Sequence, residues 1–204
     1  MIGGAVLAAG GSSRLGRPKQ LVQREGRSLV CHVVQQLTAA DVDRVAVVVG
    51  CRADQVAAAL ARQAPGPYQR LDNPAWADGI ASSIARAVTW AGALGCEALL
   101  LTACDQPLVS TSHFAALCRT YRASGAAVAS GYAAVRGIPA LLPAAWFPRL
   151  LELRGDRGAG QLLRAGADVV VVPWPEGEID IDTEADLIRA GITSASGERE
   201  GSDR

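Results

Sequence analysis

The chain has 204 residues, half of them hydrophobic, and its 20 acidic residues balance 20 lysines and arginines. That length fits one domain with ample material for a core. Zero net charge, low aromatic content and no basic stripe exclude an extended nucleic-acid-binding surface. No apolar stretch reaches the roughly 18 residues a membrane span requires.

The first predicted element is a buried strand over Ile2 to Leu7, with no basic segment before it that would make it a signal peptide. A small-residue loop follows, Ala8-Ala9-Gly10-Gly11-Ser12-Ser13-Arg14-Leu15-Gly16-Arg17-Pro18-Lys19. Small residues let backbone N–H groups turn toward an anion, and Arg14 and Lys19 add positive charge, so the loop reads as a phosphate cradle. It is not a Walker A loop, since Arg17-Pro18 stands where Lys-Ser/Thr should follow Gly16. Nor does it have the dinucleotide-loop spacing. Lys19 is the only lysine among 20 basic residues. Its compact ammonium suits a phosphate as a point charge.

A helix is predicted over Leu29 to Leu37, a strand over Arg44 to Gly50, a helix over Ala53 to Gln63 and a short strand over Tyr68 to Leu71. After the turn Asp72-Asn73-Pro74, Gly79 to Leu94 reads as a helix with Ile80, Ile84, Val88 and Ala91 on one face. Cys96 to Thr102 is a buried strand, and Ser110 to Ser124 a helix capped by Ser110 or Thr111. Strand-helix alternation to this point implies a parallel sheet with right-handed crossovers and ligands beyond the carboxyl ends of the strands.

The pattern then changes. Ala126 to Tyr132 and Gly137 to Leu142 suggest an antiparallel pair. Ala144 to Leu153 and Gly158 to Ala165 are short helices around Gly155-Asp156-Arg157-Gly158, and Asp168 to Val172 is a strand. Glu178 to Asp182 is extended, Thr183 to Ala190 closes as a helix, and residues 192–204 form a tail expected to be disordered. The expected fold is α/β: three Rossmann-like layers on a mostly parallel sheet with an antiparallel insertion, in a single domain spanning 1–191.

Asp105 follows a buried strand, which places a carboxylate in the ligand crevice as a metal-ligand candidate; a capping turn aspartate is the alternative. Asp180 and Asp182 alternate with Ile179 and Ile181, so both aspartates share one face. A solvated strand face, or Asp182 as a helix N-cap, would produce the same spacing. Mg²⁺ takes one or two carboxylates and completes its shell with phosphate oxygens and water. The set suits attack at an α-phosphorus with pyrophosphate leaving, and an anionic phosphate nucleophile needs no general base. His32 and His113 are assigned to packing or surface. The five cysteines, an odd number without a C-x-x-C pair, read as small core residues in a reducing cytoplasm.

Residues 7–22, 73–88, 104–110 and 180–187 together resemble, in order, the signature segments of nucleotidyltransferases with a MobA-like fold. Residues 155–163 resemble the Gly-Asp-x-Gly loop of the branch that makes molybdenum cofactor dinucleotides. The resemblance extends to about Gly191 and is greatest to the molybdenum cofactor cytidylyltransferases. It implies transfer of CMP from CTP to the phosphate of molybdenum-molybdopterin, with Ala8-Ala9-Gly10 in the form that accompanies CTP rather than GTP. It further implies that Arg14 and Lys19 hold the triphosphate and that Asp105 and Asp182 hold Mg²⁺ with Asp180 auxiliary. Ala8, Ala9, Gly10, Gly11 and Ser12 would approach the nucleotide, and Asn73, Gly79 and Ser83 would line its base and ribose side. A molybdoenzyme or its insertion chaperone would receive the product. Ile138 and Cys104 depart from the residues common in relatives, which bears on the acceptor. A relative using GTP or another phosphorylated acceptor, and a non-catalytic molybdenum cofactor carrier, remain the alternatives.

Overall fold

The computed structural model describes residues 1–192; the rest of the tail expected to be disordered, 193–204, lies outside them. Strands and helices alternate as β1 (Ile2–Ala8), α1 (Leu29–Thr38), β2 (Arg44–Val49), α2 (Ala53–Gln63), β3 (Tyr68–Asp72), α3 (Ile80–Ala93), β4 (Ala98–Ala103) and α4 (Thr111–Ser124). There follow β5 (Val128–Tyr132), β6 (Val135–Pro143), α5 (Phe147–Leu151), α6 (Gly160–Ala165), β7 (Val170–Pro173) and α7 (Glu184–Arg189). A two-residue hairpin, Gln23–Arg24 with Arg27–Ser28, lies apart from the main sheet.

The main sheet has seven strands in the order β3-β2-β1-β4-β6-β5-β7. Only β6 is reversed: it pairs antiparallel with both β4 and β5, while β5 and β7 pair in parallel. The chain winds outward from β1 through β2 to β3, then crosses back to place β4 on the other side of β1. The sheet therefore reverses its winding at the carboxyl end of β1, where open α/β sheets bind ligands. Register brings the strand ends level: Leu7 faces Val48 on β2 and Ala103 on β4.

Successive strand residues feed opposite layers, and both layers are apolar, so the central strands read as continuous hydrophobic runs. Val6, Val45, Val47 and Leu100 pack toward α1, α2 and α4. Ala5, Leu7, Val48 and Leu101 pack toward α3, α5 and α6. A third, smaller cluster joins Leu15 of the glycine-rich loop, Val22 and Leu29 to Ile181, Leu187 and Ile192. It seats the C-terminal segment on the loop after β1.

Two local expectations change. Ile80 is not a core residue of α3; it is 36% exposed in the first helical turn, where it overhangs a cleft. Glu178 to Asp182 starts its extended course at Ile179, outside the sheet, because Pro175–Glu178 is a 3-10 turn. Past that turn, the Ile181 N–H donates to the Asp105 carbonyl (2.9 Å), and the Asp182 and Thr183 N–H groups donate to the Asp186 carboxylate. These backbone donors are satisfied without a ladder partner.

His113 is a packing residue. Its ring stacks on Trp174 with centroids 4.7 Å apart, and Nε2 lies 2.7 Å from Ser130 Oγ. Ser130 donates its own proton to the Pro139 carbonyl, so the neutral ring donates from Nε2. Burial pushes the His113 pKa from 6.5 down to about 4, against a smaller upward pull from Glu176. The unfolded ring is protonated near 6.5 and the folded ring only near 4, so this ring costs stability as pH falls through that window, by roughly 3 kcal/mol at its lower end. Denaturant unfolding from pH 7 to pH 4 is expected to show the decline, and His113→Gln to flatten it. Equal pH slopes in the two proteins would remove His113 as its source.

Candidate active site

A cleft of about 680 Å³ opens beyond the carboxyl ends of β1 and β4. The loop after β1 forms one wall, from Ala8, Ala9, Gly10, Gly11 and Ser12 to Arg14 and Lys19. Gly79 and Ser83 at the start of α3 form the opposite side, and Asp105 and Asp182 close the end. Segments far apart in sequence thus meet around one space.

Lys19 is the centre of the polar end. Its Nζ lies 2.6 Å from Asp105 Oδ2 and 2.9 Å from Asp182 Oδ1. The three side chains are only 17%, 19% and 23% exposed, which separates them from an ordinary surface ion pair. Burial by itself would lower the lysine's pKa, but the charge and hydrogen bond of Asp105, with help from Asp182, raise it above the ordinary lysine value. The ammonium is therefore charged across the physiological range. Arg14, largely exposed, reaches Asp182 Oδ2 at 2.6 Å. Two cations and two carboxylates thus converge at one end of the cleft.

Asp182 is free for this role because the next residue caps the helix. The Thr183 hydroxyl accepts from the Asp186 N–H, and the Asp186 carboxylate accepts from the Thr183 N–H, a reciprocal capping box. The Thr183 hydroxyl, the two backbone donors and Arg189 hold the Asp186 carboxyl down to about 2. The N-cap alternative for Asp182 is thereby excluded.

Two predicted residues lie outside the cleft lining. Asn73 is buried; its Nδ2 donates to Ser82 and Ser83 Oγ (2.9 and 3.0 Å), and its Oδ1 accepts from the Ala75 N–H. It orders the segment leading into α3. Asp180 lies outside the cleft lining with an exposed surface, and partial desolvation of its carboxyl, then the charges of Asp105 and Asp182, raise its pKa. Neither histidine enters: His32 Nε2 is 3.0 Å from the Val109 carbonyl. Cys104 is buried, and burial followed by the Asp105 charge pushes its thiol up to about 12.

Sequence reasoning passed over Gln20, Trp76 and Asp156, all of which line the cleft. Trp76 carried a signal, a large aromatic in a polar turn between two singled-out residues. Asp156 stands on the loop already marked by its Gly-Asp-x-Gly pattern. That loop docks where the Gly155 carbonyl accepts from the Ala81 N–H at 3.0 Å. Close approach requires Gly79, whose φ of 99° disfavours side chains and whose Cβ would strike the Gly155 carbonyl.

A second cavity, about 170 Å³, adjoins the first and shares Leu7 and Ile80 with it. Ile84, Leu101 and Ile138 contribute apolar walls, and Tyr132, Arg136 and Arg164 also line it. No cluster of three or more His, Cys, Asp or Glu side chains placed to hold a metal occurs among the described residues. Nor is any helix among them long and apolar enough to cross a membrane.

The chain belongs to the MobA-like NTP transferase domain family, whose model matches residues 4–170, and is a nucleotidyltransferase of that family. Nicotine blue oxidoreductase of Paenarthrobacter nicotinovorans is 30% identical over 191 residues, covering 89% of this chain and 88% of that one. Purine catabolism protein PucB of Bacillus subtilis is 27% identical over 204 residues, covering 93% and 97%. Among solved structures, the Mycobacterium sp. strain JC1 homologue of Mycobacterium tuberculosis Rv0371c superposes with a TM-score of 0.77 at 28% identity, over 93% of this chain and 94% of the other. The Rv0371c complex with manganese from Mycobacterium tuberculosis superposes at 0.69 and 24% identity, over 92% and 96%.

The Gly79–Gly155 contact is open to test. Gly79→Ala must either adopt a strained backbone or push the 155–158 loop away from α3, at a cost of at least about 2 kcal/mol. Thermal unfolding is expected to show a midpoint about 5 °C or more below that of the wild type. Coincident melting curves would show that the loop is not seated there.

Proposed function

We propose that this nucleotidyltransferase joins CMP from CTP to the phosphate of molybdenum-molybdopterin, forming molybdopterin cytosine dinucleotide and releasing pyrophosphate. The observation that carries the transferase chemistry is the convergence of Lys19, Arg14, Asp105 and Asp182 at one end of a glycine-walled cleft. An acceptor phosphate oxygen forms a bond to the α-phosphorus as the bond from that phosphorus to the bridging oxygen of pyrophosphate breaks. The attacking oxygen is already anionic, so the absence of a histidine from the cleft lining fits. Alignment and charge neutralisation remain the protein's tasks. In this reading the loop amides, Arg14 and Lys19 hold the β- and γ-phosphates.

The donor set fits a divalent ion. Asp105 and Asp182 already converge on one cation, the Lys19 ammonium, and both offer the hard oxygens that Mg²⁺ prefers. When bound there, Mg²⁺ supplies positive charge to the α-phosphate and the departing pyrophosphate. In this reading Lys19 and Arg14, which pair with the two carboxylates, would turn to the triphosphate as the metal takes those carboxylates. Asp180 would act as an auxiliary carboxylate beside this pair.

The base and acceptor assignments have separate support. The resemblance around Ala8-Ala9-Gly10 favours CTP. In the structure Ala9 is buried, and its methyl shares with Trp76 the space over Gly50. The second cavity is lined by Leu7, Ile80, Ile84, Leu101 and Ile138, with Arg136 and Arg164 also in its lining to meet an anionic group. Those walls favour the flat body of a pterin.

Two measurements check this. Pyrophosphate release with Mg²⁺ and molybdenum-loaded molybdopterin is expected with CTP in preference to GTP. Asp105→Asn is expected to lower turnover at least 100-fold in a protein that still folds. Preferred use of GTP would overturn the base assignment, and release without pterin dependence the acceptor. Separately, Mn²⁺ binding followed by water-proton relaxation without nucleotide is expected to be weak in the wild type. Lys19→Met should tighten it roughly tenfold, by freeing the two carboxylates (about 1.4 kcal/mol), while weakening CTP. Unchanged Mn²⁺ affinity would mean that the lysine and the metal do not share these carboxylates.

A further inference from the structure

Gln20 follows the lysine at the centre of the cleft, yet its own side chain is 1% exposed and turned beneath the glycine-rich loop. Its Nε2 donates to the Ala8 carbonyl at 3.2 Å and to the Gly10 carbonyl at 2.7 Å. Its Oε1 faces Ser12 Oγ at 3.4 Å, and the Ser12 oxygen accepts from the Lys19 N–H at 3.0 Å. One carboxamide and one hydroxyl thus tie both limbs of the loop together.

Two consequences follow from the geometry. In a trans peptide the carbonyl of one residue and the N–H of the next point in opposite directions. Drawing the Ala8 and Gly10 carbonyls toward Gln20 turns the Ala9 and Gly11 N–H groups away from it. Gln20 thereby selects which of the loop's dipoles are tied up inside and which are left for a ligand. The second consequence concerns Ser12, whose φ of 55° lies in the left-handed region that non-glycine residues seldom occupy. Such a residue persists only when its surroundings hold it. Here they are Gln20 on one side of the hydroxyl and the backbone of Lys19 on the other, so the same network sets where the lysine side chain begins.

We propose that Gln20 is a positioning residue for the triphosphate: it touches no phosphate itself, but holds the loop amides and Lys19 in the arrangement that receives one. A primary amide is required, because two donors and an acceptor must radiate from one buried carbon. Glutamate would set anionic oxygens against two carbonyls, methionine has no donor, and asparagine is one methylene short. The inference rests on the reading of the cleft as a nucleoside triphosphate site, and not on the identity of the acceptor.

The test compares CTP with CMP, since the network acts on the part of the ligand that CMP lacks. Calorimetric titrations with Mg²⁺ on the full chain give both dissociation constants for the wild type, Gln20→Met and Gln20→Glu. Each variant is expected to weaken CTP at least tenfold and CMP less than about twofold, so the CTP-to-CMP affinity ratio collapses. A residue that served folding alone would lower the thermal midpoint and leave that ratio unchanged in the folded protein, and this result would overturn the proposal. Should both Gln20 variants fail to fold, Ser12→Gly keeps the backbone freedom and deletes the hydroxyl link. It is expected to lower the same ratio by a smaller factor, and an unchanged ratio would again overturn the assignment. Wild-type protein that binds CTP tightly but transfers nothing to molybdopterin would remove the proposed acceptor and leave Gln20 standing. Wild-type protein that binds no triphosphate would remove both.

Discussion

One ammonium group holds the active end of this molecule together. Lys19 stands between Asp105 and Asp182 at 2.6 and 2.9 Å, all three mostly withdrawn from water. A charge in such a place must be paired, since leaving either partner alone would strand a partly buried ion. The pairing ties the loop after β1, the turn after β4 and the C-terminal segment to a single point. Around it a small apolar cluster, with Leu15, Val22 and Leu29 facing Ile181, Leu187 and Ile192, holds the same segments from behind. Hydrophobic contact supplies the binding of the C-terminal arm; the ion pairs supply its register.

That design makes the cleft a place where cations and anions can exchange partners. The carboxylates are satisfied by the protein's own lysine and arginine; under the proposed function a triphosphate would bring a competing anion and a divalent ion would take the carboxylates. The fold contributes rigidity. Loops from level strand ends overlook the point where the sheet reverses its winding, and the capping box at Thr183 and Asp186 keeps Asp182 turned toward the cleft.

The named relatives show why the argument has to rest on the site. At similar identity the chain matches a protein called an oxidoreductase and one named for purine catabolism. A shared fold carries many activities, and function resides in particular side chains placed on it. Here those side chains suit charge neutralisation at phosphate.

Much of this was legible without coordinates. The β-branched run at 44–50, the alanine-rich helix at 53–63 and the alternating order of elements follow from period and local propensity, which act over a few residues. The glycine loop with its lone lysine, and Asp105 after a buried strand, stood out because residue types with a cost or a rare property mark function more than packing. Contacts between distant segments were a different matter. That Asn73 orders a turn rather than lining the cleft, that Ile80 overhangs it, and that residues 179–182 find their backbone partners outside the sheet depend on what lies across the fold. The roles of Gln20 and Gly79 depend on neighbours that no spacing rule brings near: two carbonyls of the loop for one, the Gly155 backbone for the other. The sequence by itself determined the order of elements and the chemistry available. Only the tertiary structure decided which groups meet, because a buried polar atom takes whichever partner packing brings within about 3 Å.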